Sequence, residues 1–333
     1  MTQRLIDDVD AILADLDGVV YAGPDAIPHA PESLERAKSE GVPVLFVTNN
    51  ASRAVETVAE HLSELGVQTR GEDVVSSAQA AAELLSGRLP AGARVLITGA
   101  PALSDYVAEA GLAPVRAQSD EPVAVVQGFD PEIGWADLAE AAFTLADPSV
   151  LWIATNTDGS IPRERGIAPG NGTLVDAVAR ATGRRPEVAG KPEAPIFRAG
   201  AQRLGAQRPL VVGDRLDTDI LGGHRAGFAT ALVLTGVDTV RTALAAVTDE
   251  RPTHLIRDLT GLFAPAAEIS VESGDSSTTA RCGAAEAAAT QDGLRISGDE
   301  DDLDAWRAAC AAWWTRHPRV DTARLPEIDW ATA

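Results

Sequence analysis

An apolar run ends in two carboxylates within Ala11–Val20, which reads A-I-L-A-D-L-D-G-V-V. An apolar run of this length, closed by a turn signal, predicts a buried strand. In a continuous strand, Asp15 and Asp17 would point to opposite faces of the sheet. The two carboxylates can serve one site only if the backbone leaves strand geometry there, and Gly18 permits that change. The alternative is a turn that carries a solvated aspartate pair. A calcium loop is less favoured, because the EF-hand spacing is not met.

Strand and helix patterns alternate after this stretch. Val42–Asn50 is an apolar strand, residues 53–65 have helical periodicity, and a second strand-helix series begins at Ala93. Within this alternation, Val74–Leu85 has the pattern of a helix, and Thr157–Gly172 that of a long loop with several glycines and prolines. The alternation predicts an α/β fold with a parallel sheet and right-handed crossovers.

The C-terminal part of the chain differs in composition. Glu268–Ala280 is rich in small and polar residues, which predicts a linker. Beyond it lie four of the six tryptophans, in a segment too short to bury much core by itself. Gly293–Ser297 predicts a short strand, and Asp302–Thr315 predicts a helix with an acidic N-terminus. We therefore expect the tryptophans to pack on the main body or on a second subunit.

Charge and composition limit the function. The chain has 333 residues and a formal net charge of −21. Such an acidic surface disfavours nonspecific binding of nucleic acid or anionic membrane, so an anionic substrate needs local positive charge in its site. The two cysteines, Cys282 and Cys310, lie near the C-terminus and cannot form a disulfide framework for the main body. The N-terminus lacks the features of a signal peptide, and no apolar run reaches membrane-spanning length, which together predict a cytoplasmic protein.

Four polar motifs lie at or near the ends of predicted apolar strands. They are D-L-D-G-V at 15–19, T-N-N at 48–50, G-K-P at 190–192 and G-D-R-L-D-T-D at 213–219. In an open parallel sheet, strand ends of the same sense share one edge, and ligands bind there. We therefore expect the four motifs to converge although they lie far apart in the chain.

The residue types in these motifs suit phosphoryl transfer. Asp15 and Asp214 are candidate oxygen ligands of Mg²⁺, whose coordination shell a substrate phosphate commonly completes. One carboxylate can attack phosphorus and form an aspartyl-phosphate, and a second one two residues on can protonate the leaving alcohol and later activate water. The Thr48 hydroxyl and the Asn49 amide can donate to phosphate oxygens, and Lys191 supplies the local positive charge.

Taken together, the motifs resemble those of the haloacid dehalogenase (HAD) phosphatase superfamily. The narrower resemblance is to the branch that contains NagD-type, 4-nitrophenyl phosphate, phosphoglycolate and glycerol-phosphate phosphatases, and it covers roughly residues 5–262. It implies a Rossmann-like α/β core with a parallel sheet, an inserted α/β cap and a small C-terminal extension. The implied ranges are 1–81 and 187–265 for the core, 82–186 for the cap, 266–282 for a linker and 283–333 for the extension.

The resemblance also implies roles for the site residues. Asp15 would be the nucleophile and a magnesium ligand, and Asp17 the general acid and base, with its backbone carbonyl also touching the metal. Asp214 would bind Mg²⁺, with Asp219 as a second ligand or an outer-shell partner. For Asn50 the N-cap of the following helix is an equal alternative. The residues that would hold the phosphate are Thr48 and Lys191, and those that would bind substrate or order the site are Asn49 and Asn50.

The predicted function is Mg²⁺-dependent hydrolysis of a small phosphomonoester through an aspartyl-phosphate. The resemblance also implies that Ile161 contacts substrate. Ile161 stands where some pyridoxal-phosphate phosphatases carry a histidine, so the resemblance favours a small non-aromatic substrate, glycerol 3-phosphate or 2-phosphoglycolate. A phosphotransferase or phosphomutase, and a non-catalytic phosphometabolite sensor, stay open as alternatives. The expected partner is a small phosphorylated metabolite, not nucleic acid or a membrane, and a homodimer is left open.

Overall fold

The computed structural model describes residues 3–51, 54–163 and 165–331. The chain divides into two compact units: the first comprises Met1–Val44, Leu65–Val67 and Leu204–Ala333, and the second comprises Leu45–Glu64 and Gln68–Arg203. The strands, numbered in chain order, are β1 (Ala11–Ala14), β2 (Tyr21–Ala22), β3 (Asp25–Ala26), β4 (Val44–Thr48), β5 (Val74–Ser76), β6 (Arg94–Thr98), β7 (Ala113–Val115), β8 (Ala124–Gln127), β9 (Leu151–Ala154), β10 (Ser160–Arg163), β11 (Gly166–Pro169), β12 (Glu187–Val188), β13 (Pro209–Gly213), β14 (Ala229–Val233), β15 (His254–Ile256), β16 (Ile269–Ser273), β17 (Thr278–Cys282), β18 (Ala285–Ala289), β19 (Gly293–Ser297) and β20 (Glu327–Ala331). The α-helices are α1 (Ala30–Ser39), α2 (Val55–Glu64), α3 (Ser77–Ser86), α4 (Pro101–Glu109), α5 (Trp135–Thr144), α6 (Asn171–Thr182), α7 (Ala194–Leu204), α8 (Leu221–Ala226), α9 (Val240–Ala245) and α10 (Leu303–Arg316).

Parallel pairing defines the main sheet of the first unit. Its strands lie in the order β15-β14-β13-β1, with Ala14 level with Val212. The Ile12 N–H donates to Pro43 O, directly before β4. β1 and β13 are buried along their whole length, as parallel strands covered on both faces are. The predicted parallel α/β sheet is confirmed, and the carboxyl ends of β1 and β13 lie side by side.

A second, five-stranded sheet forms most of the C-terminal extension. Its order is β16-β17-β18-β19-β20, and only the β19–β20 pair is parallel. The linker predicted at 266–282 is wrong, because β16 and β17 pair there as an antiparallel hairpin. In β17 only alternate side chains are buried, and these are threonine, alanine and cysteine. Such small residues let α10 pack closely on the sheet but give the sequence little of the apolar signal of a strand.

One hydrophobic cluster joins this extension to the parallel sheet. Trp306 and Trp313 of α10 are buried in it with Leu244 of α9, and Trp314 and Trp330 pack against it. Trp314 also donates its indole N–H to Leu244 O at 3.3 Å. The expectation that these tryptophans pack on the main body is therefore confirmed.

Two arginines add hydrogen bonds at the same junction. Arg251, which precedes β15, donates from Nη2 to His317 O at the C-terminal end of α10, at 2.8 Å. In the opposite direction, Arg307 of α10 donates to Leu255 O of β15 at 2.7 Å. A guanidinium is a favourable partner for the last carbonyls of a helix, so Arg251 also stabilises the C-terminus of α10.

The second unit contains its own parallel sheet, in the order β12-β9-β8-β6-β7. Helices α5 and α6 cover one face of it through a cluster that includes Leu96, Val125 and Trp152. In the same unit β4 pairs with β5 in parallel. This strand-helix series is the one that the sequence predicts.

Three sequence predictions differ from the structure of this unit. Residues 74–76, predicted as helix, form β5, because Val74 and Val75 are β-branched and the Ser76 hydroxyl caps the helix that follows by accepting Gln79 N–H. The predicted loop 157–172 contains the hairpin β10–β11. The predicted domain boundary between residues 81 and 82 falls inside α3.

Among the residues that the structure describes, every helix is too short or too polar to span a bilayer.

Candidate active site

Three carboxylates meet at the carboxyl edge of the main sheet in the first unit. Asp15 follows β1, Asp214 follows β13, and Asp219 lies in the π-helical turn Leu216–Ile220. One oxygen of each lies within 4.8 Å of the others, and Asp214 and Asp219 are buried. The Asp15 N–H donates to Val212 O at 2.9 Å, so β13 still holds the backbone at this position. The structure brings the first and the fourth motif together, as the sequence predicts.

Two glycines leave space for these carboxylates. Gly18 has a φ of +79°, and a Cβ there would lie 2.3 Å from Asp214 Oδ2. A Cβ on Gly213 would lie 2.1 Å from the Asp219 Cβ. Neither position can accept a side chain unless a carboxylate moves. Glycine is therefore required for space at both positions, and at Gly18 also for its backbone conformation.

The backbone leaves strand geometry between Asp15 and Asp17, as predicted. β1 ends at Ala14, and the Val20 N–H donates to Leu16 O at 2.8 Å in a tight turn. Leu16 is buried while Asp17 is exposed. The Asp17 carboxylate does not belong to the three-carboxylate group, which contains the other three predicted metal ligands. Its predicted metal contact is through the backbone carbonyl, so that role stays a prediction.

The three-carboxylate group suits a hard divalent cation. All of its ligand atoms are carboxylate oxygens, which Mg²⁺ and Ca²⁺ prefer and soft metals do not. Three negative charges this close repel one another, and a bound cation would offset that repulsion. The space left by Gly18 and Gly213 keeps the carboxylates together. The residues therefore fit Mg²⁺.

In the second unit, Asn49 is the centre of a hydrogen-bond network around Lys191. Its Oδ1 accepts the Lys191 N–H at 2.8 Å, and its Nδ2 donates to Lys191 O at 3.2 Å. Nδ2 also lies 3.1 Å from Asp158 Oδ1 and donates to it. A Cβ on Gly190 would lie 2.5 Å from Asn49 Oδ1, so glycine is needed beside the lysine. The second and third motifs are thus bonded together, which supports the ordering role for Asn49.

Burial distinguishes the other residues of these two motifs. Lys191 is only 4% exposed and Thr48 8% exposed, so Lys191 is not an ordinary surface lysine. The Asn50 N–H donates to Thr48 Oγ1 at 3.1 Å. Since α2 begins at Val55, the alternative that Asn50 caps this helix is wrong. Substrate contact by Asn50 stays a prediction.

Ile161 lies in a hairpin and not in the irregular loop that the sequence predicts. It belongs to β10 and is paired with Ala168 of β11. The backbone before the hairpin is fixed by the network around Asn49, because Asn156 Nδ2 donates to Asn49 O at 2.8 Å. The predicted contact of Ile161 with substrate stays a prediction.

Two hydrogen-bonding features, one in each unit, lie outside the four predicted motifs. The first is Asp158, in the T-N-T-D stretch after β9, which bonds Asn49. The second is Thr235–Asp238 after β14, where the Val237 N–H donates to Asp214 Oδ2 at 2.8 Å. Both follow an apolar strand, which is the signal that revealed the other motifs. Neither stretch has a distinctive motif, and each lies far in sequence from the residue that it bonds, so the sequence alone does not predict these contacts.

Fold and site together define a class of protein. A parallel α/β sheet that gathers aspartates from the ends of two adjacent strands, in a chain with a second α/β unit, is the architecture of HAD-type hydrolases. The family model described as "Haloacid dehalogenase-like hydrolase" matches residues 12–113, and a "HAD-hydrolase-like" model matches residues 188–262. The chain belongs to the haloacid dehalogenase-like hydrolase family.

Within this family, the chain is similar to several proteins named as phosphatases. It is 49% identical over 253 residues to D-glycerol 3-phosphate phosphatase of Mycobacterium tuberculosis, covering 76% of this chain and 70% of the relative. It is 40% identical over 233 residues to an acid sugar phosphatase of Staphylococcus aureus, covering 69% of this chain and 88% of the relative. The crystal structure of glycerol phosphate phosphatase from M. tuberculosis in complex with magnesium matches with a TM-score of 0.84 and 40% identity, over 100% of this chain and 96% of that one. The match includes the C-terminal extension.

Proposed function

We propose that this protein is a Mg²⁺-dependent phosphatase of small phosphomonoesters, with glycerol 3-phosphate as its best substrate. The observation that carries the proposal is the group formed by Asp15, Asp214 and Asp219, whose oxygens lie within 4.8 Å of one another. It occurs in a chain that is 49% identical to a glycerol 3-phosphate phosphatase. Such a group can bind a divalent cation, and one of its carboxylates can act as the nucleophile toward phosphorus.

Asp15 acts as the nucleophile, and Asp17 transfers the protons. An Asp15 oxygen attacks phosphorus, the bond between phosphorus and the alcohol oxygen breaks, and Asp17 gives its proton to the leaving alcohol. Asp17 then takes a proton from a water molecule that attacks the aspartyl-phosphate, which releases phosphate and regenerates Asp15. The exposed position of Asp17, next to the turn at Gly18, suits a group that exchanges protons with alcohol and water.

Asp15, Asp214 and Asp219 would hold the Mg²⁺ ion, together with the backbone carbonyl of Asp17. When bound, the ion neutralises charge on the phosphate and on the carboxylates. Thr48 and Lys191 bind the phosphate oxygens, and the buried Lys191 is the local cation that a protein of net charge −21 requires. Asn49 orders the Lys191 backbone through two hydrogen bonds.

The relatives and Ile161 together favour a small polyol phosphate as substrate. The M. tuberculosis relative is named for glycerol 3-phosphate, and the S. aureus relative for sugar phosphates. Ile161, in β10, is apolar and offers no hydrogen bond to an aromatic phosphate ester such as pyridoxal phosphate. 2-Phosphoglycolate is the second substrate to compare, because it has a similar size and an additional negative charge.

A substrate panel tests the proposal. Phosphate release in Mg²⁺ is measured with glycerol 3-phosphate, 2-phosphoglycolate, a hexose phosphate and pyridoxal phosphate, and we expect the highest kcat/KM for the first. Asp15→Asn should lower kcat by about 10⁴-fold or more, as loss of a nucleophile does. Asp329→Asn, at an exposed aspartate of β20, is the matched control and should leave turnover unchanged. Absence of phosphate release with every ester would refute the phosphatase, and preference for pyridoxal phosphate would refute the substrate class.

The same assay separates the alternatives. A phosphotransferase or phosphomutase would pass the phosphoryl group to an added acceptor alcohol, so product analysis with excess glycerol or glucose distinguishes transfer from release. A phosphometabolite sensor would bind the ester without turnover. The cytoplasmic location and the homodimer stay predictions, and light scattering of the purified chain measures the second.

A further inference from the structure

A four-residue segment after β14 touches every loop that carries a carboxylate of the cation site. This 235–238 segment reads T-G-V-D and belongs to none of the four motifs. It follows β14, the neighbour of β13 in the parallel sheet, so it starts at the same sheet edge as Asp214.

The 235–238 segment holds Asp214 by both its side chain and its backbone. The Val237 N–H donates to Asp214 Oδ2 at 2.8 Å, and the Asp238 N–H donates to Asp214 O at 3.0 Å. Gly236 lies so close that a Cβ there would be 2.0 Å from Asp214 Oδ2. The Asp214 carboxylate is therefore oriented by a backbone donor, and the approach of that donor depends on glycine at 236.

The same segment reaches the loops of the other two carboxylates. The Thr235 hydroxyl donates to Gly18 O at 2.6 Å, in the turn that follows Asp15. The Asp238 carboxylate accepts the Leu216 N–H at 2.7 Å, at the start of the turn that carries Asp219. One short segment thus links three loops that come from distant parts of the chain.

These hydrogen bonds oppose the electrostatic repulsion among the three carboxylates. Three carboxylates whose oxygens lie within 4.8 Å of one another repel, and without support their loops would move apart when no cation is bound. Fixing the loops in advance lowers the cost of bringing the carboxylates together on binding. Pre-organisation of this kind raises cation affinity without adding a ligand.

We propose that the 235–238 segment positions the cation site, and that Thr235 is a positioning residue whose hydroxyl holds the Asp15 loop against Asp214. Thr235 is not a member of the three-carboxylate group and acts through the Gly18 carbonyl. The inference rests on the proposed function only for the identity of the cation as Mg²⁺. The segment acts on metal affinity, whereas the choice of substrate depends on other residues.

The test measures Mn²⁺ binding to the full chain without substrate, through the loss of the free-Mn²⁺ signal in electron paramagnetic resonance. Thr235→Val removes the hydroxyl at nearly constant volume and should weaken binding about three- to tenfold, the effect of one lost hydrogen bond. Thr235→Ser keeps the hydroxyl, so this variant should bind Mn²⁺ with wild-type affinity. Thr144→Val is the matched control, because Thr144 is a buried threonine of α5 that also donates to a main-chain carbonyl, Glu140 O, at 2.9 Å. It should bind Mn²⁺ as the wild type does.

Gly236→Ala provides a second, independent variant, and it should reduce Mn²⁺ affinity more than Thr235→Val because the added Cβ would displace the Asp214 carboxylate. Thermal unfolding confirms that each variant is folded before binding is measured. Wild-type affinity in Thr235→Val, or failure of Thr235→Ser to restore it, would overturn the inference. If the variants behave as expected while no ester is hydrolysed by the wild type, the proposed function fails and the positioning role stands.

Discussion

At the scale of single residues, small and neutral side chains fix the geometry of the charged ones. Gly18 and Gly236 each lie where a Cβ would collide with Asp214. Asn49 uses both halves of its amide, one as acceptor for Lys191 N–H and one as donor to Asp158 and Lys191 O. A carboxylate could replace only the acceptor half of that amide, because ionised aspartate has no donor.

Exchanging the amide of Asn49 and the carboxylate of Asp158 tests the hydrogen bond between them. Asn49→Asp would place a second carboxylate about 3 Å from Asp158, replacing a hydrogen bond by repulsion. We expect the free energy of unfolding to fall by about 1–3 kcal/mol and the KM for the phosphate ester to rise, because Lys191 loses part of its support. Adding Asp158→Asn lets the new amide at position 158 donate to the new carboxylate at position 49, the reverse of the wild-type hydrogen bond. The double variant should therefore recover part of the lost stability and part of the increase in KM. Urea unfolding and steady-state kinetics on the two single variants and the double variant measure this, and a double variant no better than Asn49→Asp would contradict the role of the pair.

At the scale of elements, the extension is stabilised by small residues packed closely under one helix. β17 and β18 bury threonine, alanine and cysteine at alternate positions, and α10 buries four alanines and a cysteine on the side that faces them. Cys282 and Cys310 behave here as small apolar residues. Their thiols are therefore a probe of whether these elements stay packed.

Thiol reactivity should report this packing directly. Burial, followed by the hydrogen bond with Asp304, raises the pKa of Cys282 to about 12, and burial raises the pKa of Cys310 as well. At pH 8 only about one Cys282 thiol in 10⁴ would be ionised, and the thiolate is the reactive form. We expect a disulfide reagent such as Ellman's reagent to label neither cysteine in the folded protein and both in denaturant. Rapid labelling of either thiol under native conditions would show that the extension opens.

At the scale of the whole molecule, the sequence predicts what depends on strong periodicity and on residues near a strand end. β1, β4 and α10 are where the residue pattern predicts them, and the carboxylates of the first and fourth motifs meet. The hairpin of β16 and β17 differs from the predicted linker because the buried residues of β17 are threonine, alanine and cysteine, which give little apolar signal. The bonds from Asn49 to Asp158, and from Thr235 to Gly18, join residues far apart in sequence, so only the folded chain reveals them.

The extension and the cation site should unfold together. Trp306 is 3% exposed and shares one hydrophobic cluster with Leu216 and Ile220, the two ends of the turn that carries Asp219. Trp306→Ala should lower the free energy of unfolding by about 3–5 kcal/mol, as removal of a large buried side chain does. Because the cluster is shared, Mn²⁺ binding and protection of the two cysteines should be lost at the same, lower denaturant concentration.

Trp135→Ala is the matched control, since Trp135 in α5 is 81% exposed and should change neither midpoint. If the cysteines of the Trp306→Ala variant became reactive while Mn²⁺ binding persisted, the extension would unfold as a separate module. Coincident loss means instead that the tryptophans beyond residue 300 help to hold Asp219 in place. The extension would then be part of the structure on which catalysis depends, and its removal would impair metal binding although it supplies no ligand.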